Sequence, residues 1–162
     1  MTVAIIVLVL LIFSFGGVLL VGAPYLPTLA PQVKVALELA ALKPGQTLLE
    51  LGCGDGRVVL AAAKKGINVI GYELNPWLAT VAWLRTRRYT RNVQIIWGDF
   101  WRRPLPPAEA VFVFLLPKYM ARLDRKLKRD FHQPVKLVSF AFSIPKKEPV
   151  TLKDGVLLYY YD

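Results

Sequence analysis

Cysteine and histidine each occur once in the 162 residues, as Cys53 and His132. A single cysteine excludes an intrachain disulfide and a multi-cysteine metal site, and one histidine beside it leaves no basis for zinc chemistry. Internal repeats and low-complexity tracts are absent after an apolar start, and the length accommodates one domain with a short appendage. Positive charge is missing from one end, since none of the 21 Lys and Arg precedes Lys34. Acids are few, 11 in all, so the net charge is +10 and the pI about 9.9.

That uncharged start reads VAIIVLVLLIFSFGGVLLVG over residues 3–22. At 1.5 Å rise, about 20 apolar residues cover a hydrocarbon core of roughly 30 Å, so a transmembrane anchor over residues 1–23 is expected. A cleavable signal peptide and a buried first helix are the alternatives; the former wants a basic start that Met1 and Thr2 do not supply. With every Lys and Arg after the run, a single-pass anchor leaves the folded part on the cytoplasmic or matrix-equivalent side. Arg85, Arg87, Arg88 and Arg91, and the basic run over 118–129, suit anionic lipid headgroups or an ordinary solvated surface. A pI this high is also the footprint of an RNA-binding enzyme, against which the anchor argues.

Pro24 and Pro27 end the apolar run and make an extended connector, and Thr28 can cap a helix over 29–42 that Lys43-Pro44-Gly45 stops. Residues 24–45 are therefore connector and first helix, and 46–162 a domain. Within it, buried strand-like runs at 46–51, 69–73, 92–98, 110–116 and 136–142 alternate with helical ones at 56–65, 76–88 and 118–131. Such alternation predicts a mostly parallel sheet with helices on both faces. Two final runs, 149–152 and 156–161, joined through Lys153-Asp154-Gly155, predict an antiparallel hairpin closing one edge.

The most informative stretch is LLELGCGDGRVVLAAAKKG, residues 48–66, where Gly52, Gly54 and Gly56 follow the first strand and open a helix. In an open α/β sheet, ligands sit at the carboxyl ends of the strands, and glycines are required where backbone turns sharply or is pressed by a ligand. A dinucleotide fingerprint needs glycine at position 57, which is Arg57, and no Gly-Lys-Ser/Thr of a P-loop follows. A nucleophile elbow would need a serine between the glycines. Glu73 ends the second strand, where a carboxylate can take both ribose hydroxyls. The pattern thus points to a nucleoside with a carboxylate-bearing part, the alternative being a tight strand-to-helix turn.

ELGCGDG, residues 50–56, resembles the first motif of class I, seven-stranded S-adenosylmethionine-dependent methyltransferases, and GYELNP resembles their ribose-binding strand end. The likeness covers essentially everything after Pro24 and implies a Rossmann-like seven-stranded fold. The apolar start followed by PYLPT, GRVVLAAAKKG, GYELNPWL and GDFW is similar to the membrane-tethered protein-lysine methyltransferases of the ATP synthase c-subunit and ADP/ATP carrier type. The resemblance implies that Glu50, Gly52, Cys53, Gly54 and Gly56 line the methionine part of the cofactor. It also puts Glu73 with Leu74 at the ribose, and Asp99 with Phe100 beside the adenine.

A membrane protein bearing a lysine is then the expected substrate, N-methylated on its side chain, with the bilayer as second partner. Methylation of a lipid headgroup or small amine, and a non-catalytic membrane-anchored nucleoside-binding protein, are the alternatives. Leu116-Pro117-Lys118 stands where amide and nucleobase methyltransferases carry Asn/Asp-Pro-Pro-Tyr/Phe, which weighs against those acceptors. Asp99, Tyr25 and Tyr119 are the candidates for steering the amine. Asp99 also reads as a turn residue after the third strand, and Tyr25 as an interfacial belt residue. The four tryptophans read as core or interface residues rather than as a methyl-lysine cage.

Overall fold

The computed structural model describes residues 26–162; the expected membrane anchor and Tyr25 lie outside them. Among the described residues no helix is long and apolar enough to cross a membrane. Chain order is α1 (Ala30–Ala40), β1 (Thr47–Leu51), α2 (Arg57–Ala63), β2 (Asn68–Glu73), α3 (Pro76–Thr86) and β3 (Val93–Trp97). Then follow β4 (Ala110–Val113), α4 (Pro117–Asp130), β5 (Val135–Phe140), β6 (Thr151–Lys153) and β7 (Val156–Tyr161).

The seven strands form one sheet in the order β3-β2-β1-β4-β5-β7-β6. β1 to β5 are mutually parallel where they pair, and β7 runs antiparallel between β5 and β6. The order of winding reverses between the parallel neighbours β1 and β4, and this switch opens a crevice at their carboxyl ends. The expected mixed sheet and terminal hairpin are present. Asp154 (φ 50°) and Gly155 (φ 77°) make the tight turn, a pair of positive φ values matching the twist of a two-residue hairpin.

Side-chain alternation along the strands divides the core in two. Leu48, Val69, Ala110, Phe112, Val138 and Leu158 face α1, α2 and α3. Leu49, Leu51, Val111, Val113, Leu137 and Tyr159 face the other way, where α4 lies with Met120, Leu123 and Leu127 at spacings of three and four. Three helices thus cover one face and α4 with the 99–108 loop the other. Burying both faces explains why the central strands are continuous apolar runs.

Several local expectations are corrected. β4 ends at Val113 rather than 116, because Leu115 drops into the core below α4 and Leu116 takes the extended geometry required before Pro117. Thr28 does not cap α1; Leu29 occupies that position without a side-chain bond, and Thr28 is buried. Of the four tryptophans, expected as core or interface residues, Trp101 packs on the core, while Trp77, Trp83 and Trp97 are exposed and do not belong to it. Within the basic run, Lys126 is buried, with Nζ 2.6 Å from an Asp130 carboxylate oxygen and 2.6 Å from the Arg103 carbonyl. Asp130 also accepts the Leu105 N–H, so this ion pair fastens the loop after β3 to α4.

Candidate active site

The turn from β1 to α2 carries three residues with positive φ, Gly52 (89°), Gly54 (53°) and Gly56 (76°). At Gly56 a Cβ would stand 2.9 Å from the Cα and Cβ of Ala82, so α3 packs directly on this turn. At Gly71 of β2 a Cβ would meet the Cys53 sulfur at 3.0 Å. Cys53 is thereby sunk into the core, where burial, chiefly, pushes its thiol well above the usual range. A Cβ at Gly52 would meet nothing within 4 Å, leaving open space over the loop.

Two buried carboxylates close on this loop from the strand ends. Glu73 Oε2 accepts the Gly54 N–H at 2.8 Å, and its Oε1 accepts the Asn75 N–H at 2.8 Å. One side chain therefore joins the ends of β1 and β2. The Val59 N–H, in the first turn of α2, acts to lower the Glu50 carboxyl. Gly56 has no side chain with which to cap that helix, and a carboxylate at an N-terminus is favourable. Oε2 of Glu50 is buried with no hydrogen-bond partner among the described residues. Burial raises both carboxyls, Glu50 strongly, with Asp55 and Glu73 adding to its rise and amide N–H bonds opposing it in each. Such a crevice is a receptor for cationic and hydroxylic groups.

Asp55 takes bidentate hydrogen bonds from Arg57, at 3.0 and 2.9 Å, and a third from Arg85 of α3. Arg57 also donates to the Thr28 carbonyl at 3.1 Å. The residue that breaks the dinucleotide fingerprint thus ties the glycine turn to the connector. Burial acts to raise the Asp55 carboxyl, but the two guanidinium groups outweigh it and bring it from 3.8 to about 2. A lowered pKa means stability that is present above the ordinary carboxylate range and lost as pH falls towards 2. Asp55→Asn is expected to melt earlier than wild type at pH 7, with the gap closing below pH 3; acid titrations followed by circular dichroism check this.

The remaining expected site residues are less uniform. Asp99 follows β3, and its Oδ1 accepts the Trp101 N–H at 2.9 Å while Oδ2 lies 3.3 Å from the Arg102 guanidinium. It caps a short 3-10 turn, as its turn-residue reading implies. Phe100 is buried against Trp101, centroids 4.5 Å apart, and Leu74 gives its carbonyl to the Trp97 indole N–H at 3.1 Å. Tyr119 is half-buried at the start of α4, 6.0 Å from Trp101 between ring centroids. Sequence reasoning missed Asn75, which is 1% exposed and whose Oδ1 accepts the Trp77 and Leu78 N–H groups. The Asn-Pro pair before a helical run was its signal. It also missed the half-buried rings of Phe114, Phe140 and Phe142 at the carboxyl ends of β4 and β5, where Phe114 lies 4.6 and 6.3 Å from the other two.

A sheet of this order, with a glycine turn and an acid closing the next strand, defines the class of Rossmann-like methyltransferases. An RNA methyltransferase from Salinibacter ruber, solved with S-adenosyl-L-homocysteine, superposes with a TM-score of 0.76 at 28% identity, over 84% of this chain and 92% of that one. Residues 50–151 match the ANTKMT methyltransferase domain, and the chain belongs to that family. The Homo sapiens lysine N-methyltransferase of the ATP synthase c-subunit is 32% identical over 130 residues, 78% of this chain and 54% of that protein. The protein-lysine N-methyltransferase of Saccharolobus islandicus is 31% identical over 140 residues, 82% of this chain and 86% of that protein. The chain spans about half the length of the first of these relatives.

Proposed function

We propose that this chain is an S-adenosylmethionine-dependent methyltransferase that N-methylates a lysine side chain of a membrane protein. The observation that carries the cofactor is the pair of buried carboxylates over the open glycine turn, one of them with an unsatisfied oxygen. An α-ammonium group gives Glu50 Oε2 the donor it lacks, and Glu73 keeps lone pairs for ribose hydroxyls while bound to Gly54 and Asn75. The open space at Gly52 admits the methionine chain, and Asp99 with Phe100 borders the adenine. The bound cofactor supplies an electrophilic methyl group on a sulfonium.

The chain's own task is then positioning, with the acceptor nitrogen held about 3 to 3.5 Å from the methyl carbon. A lysine arrives with a pKa of about 10.4 and must lose its proton; a desolvated entry beside a sulfonium lowers that value. The half-buried rings at the carboxyl ends of β4 and β5 offer such an entry, an apolar wall with π faces for an ammonium. Tyr119 and Tyr25 are further candidates to orient the amine.

The lysine acceptor rests on the family and on the named activities of both relatives. Placement of the acceptor in a membrane rests on the uncharged run over residues 3–22, read as a single-pass anchor with the domain on the cytoplasmic or matrix-equivalent side. To test this, membranes from a strain lacking the protein are incubated with the full chain and methyl-labelled cofactor. Label on lysines of membrane-protein peptides, found by mass spectrometry, is expected. Label confined to the organic extract would transfer the reading to a lipid headgroup, and cofactor binding without any label would remove the catalytic claim.

A further inference from the structure

Helix α3 is built the wrong way round for a surface helix. Its inner side is made of small residues, Ala79, Ala82 and Thr86, packed on the glycine turn and β2. Its outer side carries Trp77, Val81 and Leu84, at intervals of four and three, which are 56%, 42% and 48% exposed. Trp83 on the flank is 55% exposed. Isolated exposed apolar residues are ordinary, but Trp77, Val81 and Leu84 share one side of an eleven-residue helix.

The segment that carries the stripe bears charge of one sign. Between Glu73 and Asp99 there is no acidic residue, while Arg85, Arg87, Arg88 and Arg91 all fall there. Arg85 is held by Asp55, whereas Arg87, Arg88 and Arg91 are exposed and make no ion pair with an acid among the described residues. A helix with an aromatic and aliphatic outer stripe and arginines beside it has the composition that lies in a bilayer interface, apolar side chains below the headgroups and cations among anionic phosphates.

The way the chain enters the domain agrees with that occupant. Arg85 binds Asp55, Asp55 binds Arg57, and Arg57 binds the Thr28 carbonyl, so the flank of α3 and the point where residues 1–25 join the domain are two ion pairs and one hydrogen bond apart. We propose that the Trp77–Val81–Leu84 stripe of α3, with Arg87, Arg88 and Arg91, is a docking face for an anionic lipid bilayer. Trp77, where the helix begins, is on the carboxyl-end side of the sheet, and Arg91, beside Thr47, Asn68 and Val93, on the amino-end side, so the face runs the height of the sheet. The proposal extends the reading of a membrane-tethered enzyme and rests on it for the chain's presence at a bilayer.

The sequence provides its own probe, because residues 3–22 contain no tryptophan and all four tryptophans, 77, 83, 97 and 101, belong to the domain. The full chain is reconstituted into phosphatidylcholine vesicles with about 30 mol% phosphatidylserine, with or without brominated acyl chains, which quench tryptophan on contact. Strong quenching is expected with phosphatidylserine present, and little in pure phosphatidylcholine. Val81→Ser/Leu84→Ser, and separately Arg87→Glu/Arg88→Glu/Arg91→Glu, keep every tryptophan and are expected to bring quenching down to the phosphatidylcholine level. Unchanged S-adenosylhomocysteine affinity by calorimetry shows that each variant is folded.

Wild-type emission indifferent to bromination overturns the proposal. So does a stripe-dependent dimer without quenching, or an oligoribonucleotide that binds the arginines equally well in the Val81→Ser/Leu84→Ser chain while bromolipid leaves emission unaltered. Resistance to alkaline carbonate extraction reports the anchor, and labelled peptides report methylation. Either can fail while quenching persists, and quenching can fail while both hold, so the docking face and the underlying reading are judged separately.

Discussion

Glu73→Ala is expected to weaken S-adenosylhomocysteine binding by roughly a hundredfold or more, and to bring methyl transfer to background. The carboxylate is 7% exposed and holds the Gly54 and Asn75 amides. Its loss strands two donors, each costing about 1–3 kcal/mol where water cannot replace the acceptor, and leaves the Tyr72 carbonyl, which accepts the Gly52 and Cys53 N–H groups, as the link from β2 to the turn. The acceptor for the ribose hydroxyls disappears in the same change. Glu73→Gln repairs little, since an amide nitrogen must then face one of the two N–H groups. Calorimetric titration checks the affinity, and wild-type binding by either variant would remove Glu73 from the site. Because the Glu73 carboxyl is raised mainly by burial, its ionisation costs the ligand-free domain stability as pH rises through that value.

The second large effect is on folding. Asp130→Ala leaves the Lys126 ammonium, in a side chain 3% exposed, without its carboxylate and with the neutral Arg103 carbonyl as its acceptor. Breaking a buried pair from one side costs about 3–5 kcal/mol, a fall in Tm of about 10 °C or more for a domain of this size. Lys126→Met/Asp130→Leu, which removes both charges and keeps the volume, is expected to recover most of that loss. Burial pushes the Asp130 carboxyl up, but Arg129, Lys126 and the Leu105 N–H together lower it. The pair therefore supports folding above the ordinary carboxylate range and fails as pH drops below it. A single variant melting within a degree of wild type would show that the loop after β3 does not depend on it.

Much of this architecture is legible in the amino-acid string, for identifiable physical reasons. Strands buried on both faces appear as unbroken runs such as TLLEL and NVIGYE, and Asp-Gly between two such runs marks a hairpin. Gly52, Gly54 and Gly56 announce their turn because side chains rarely adopt those backbone angles, and at Gly56 one would also strike Ala82. What stays hidden depends on contacts between distant positions. Lys126 looks like any cation of a basic helix until Asp130 and the Arg103 carbonyl enclose it. The outward turn of Trp77, Trp83 and Trp97 is invisible to composition, which counts apolar residues without saying which face they take. Asp55, Arg57 and Arg85 become a cluster only when α3 crosses the glycine turn.

The hydrogen bond from Arg57 to the Thr28 carbonyl has a bearing on the proposed reaction's kinetics. Gly22, the last residue of the apolar run, is six positions before Thr28, a span of at most about 21 Å when fully extended. With that run in a bilayer, the glycine turn explores only a thin slab above the lipid. Encounter with a lysine in the same membrane becomes a two-dimensional search at high effective concentration, while a diffusible lysine outside the slab is out of reach. Acceptor choice is then set largely by reach, and a weak local affinity for the substrate suffices. Lengthening the connector between residues 22 and 28 would widen the range of acceptors and slow each encounter.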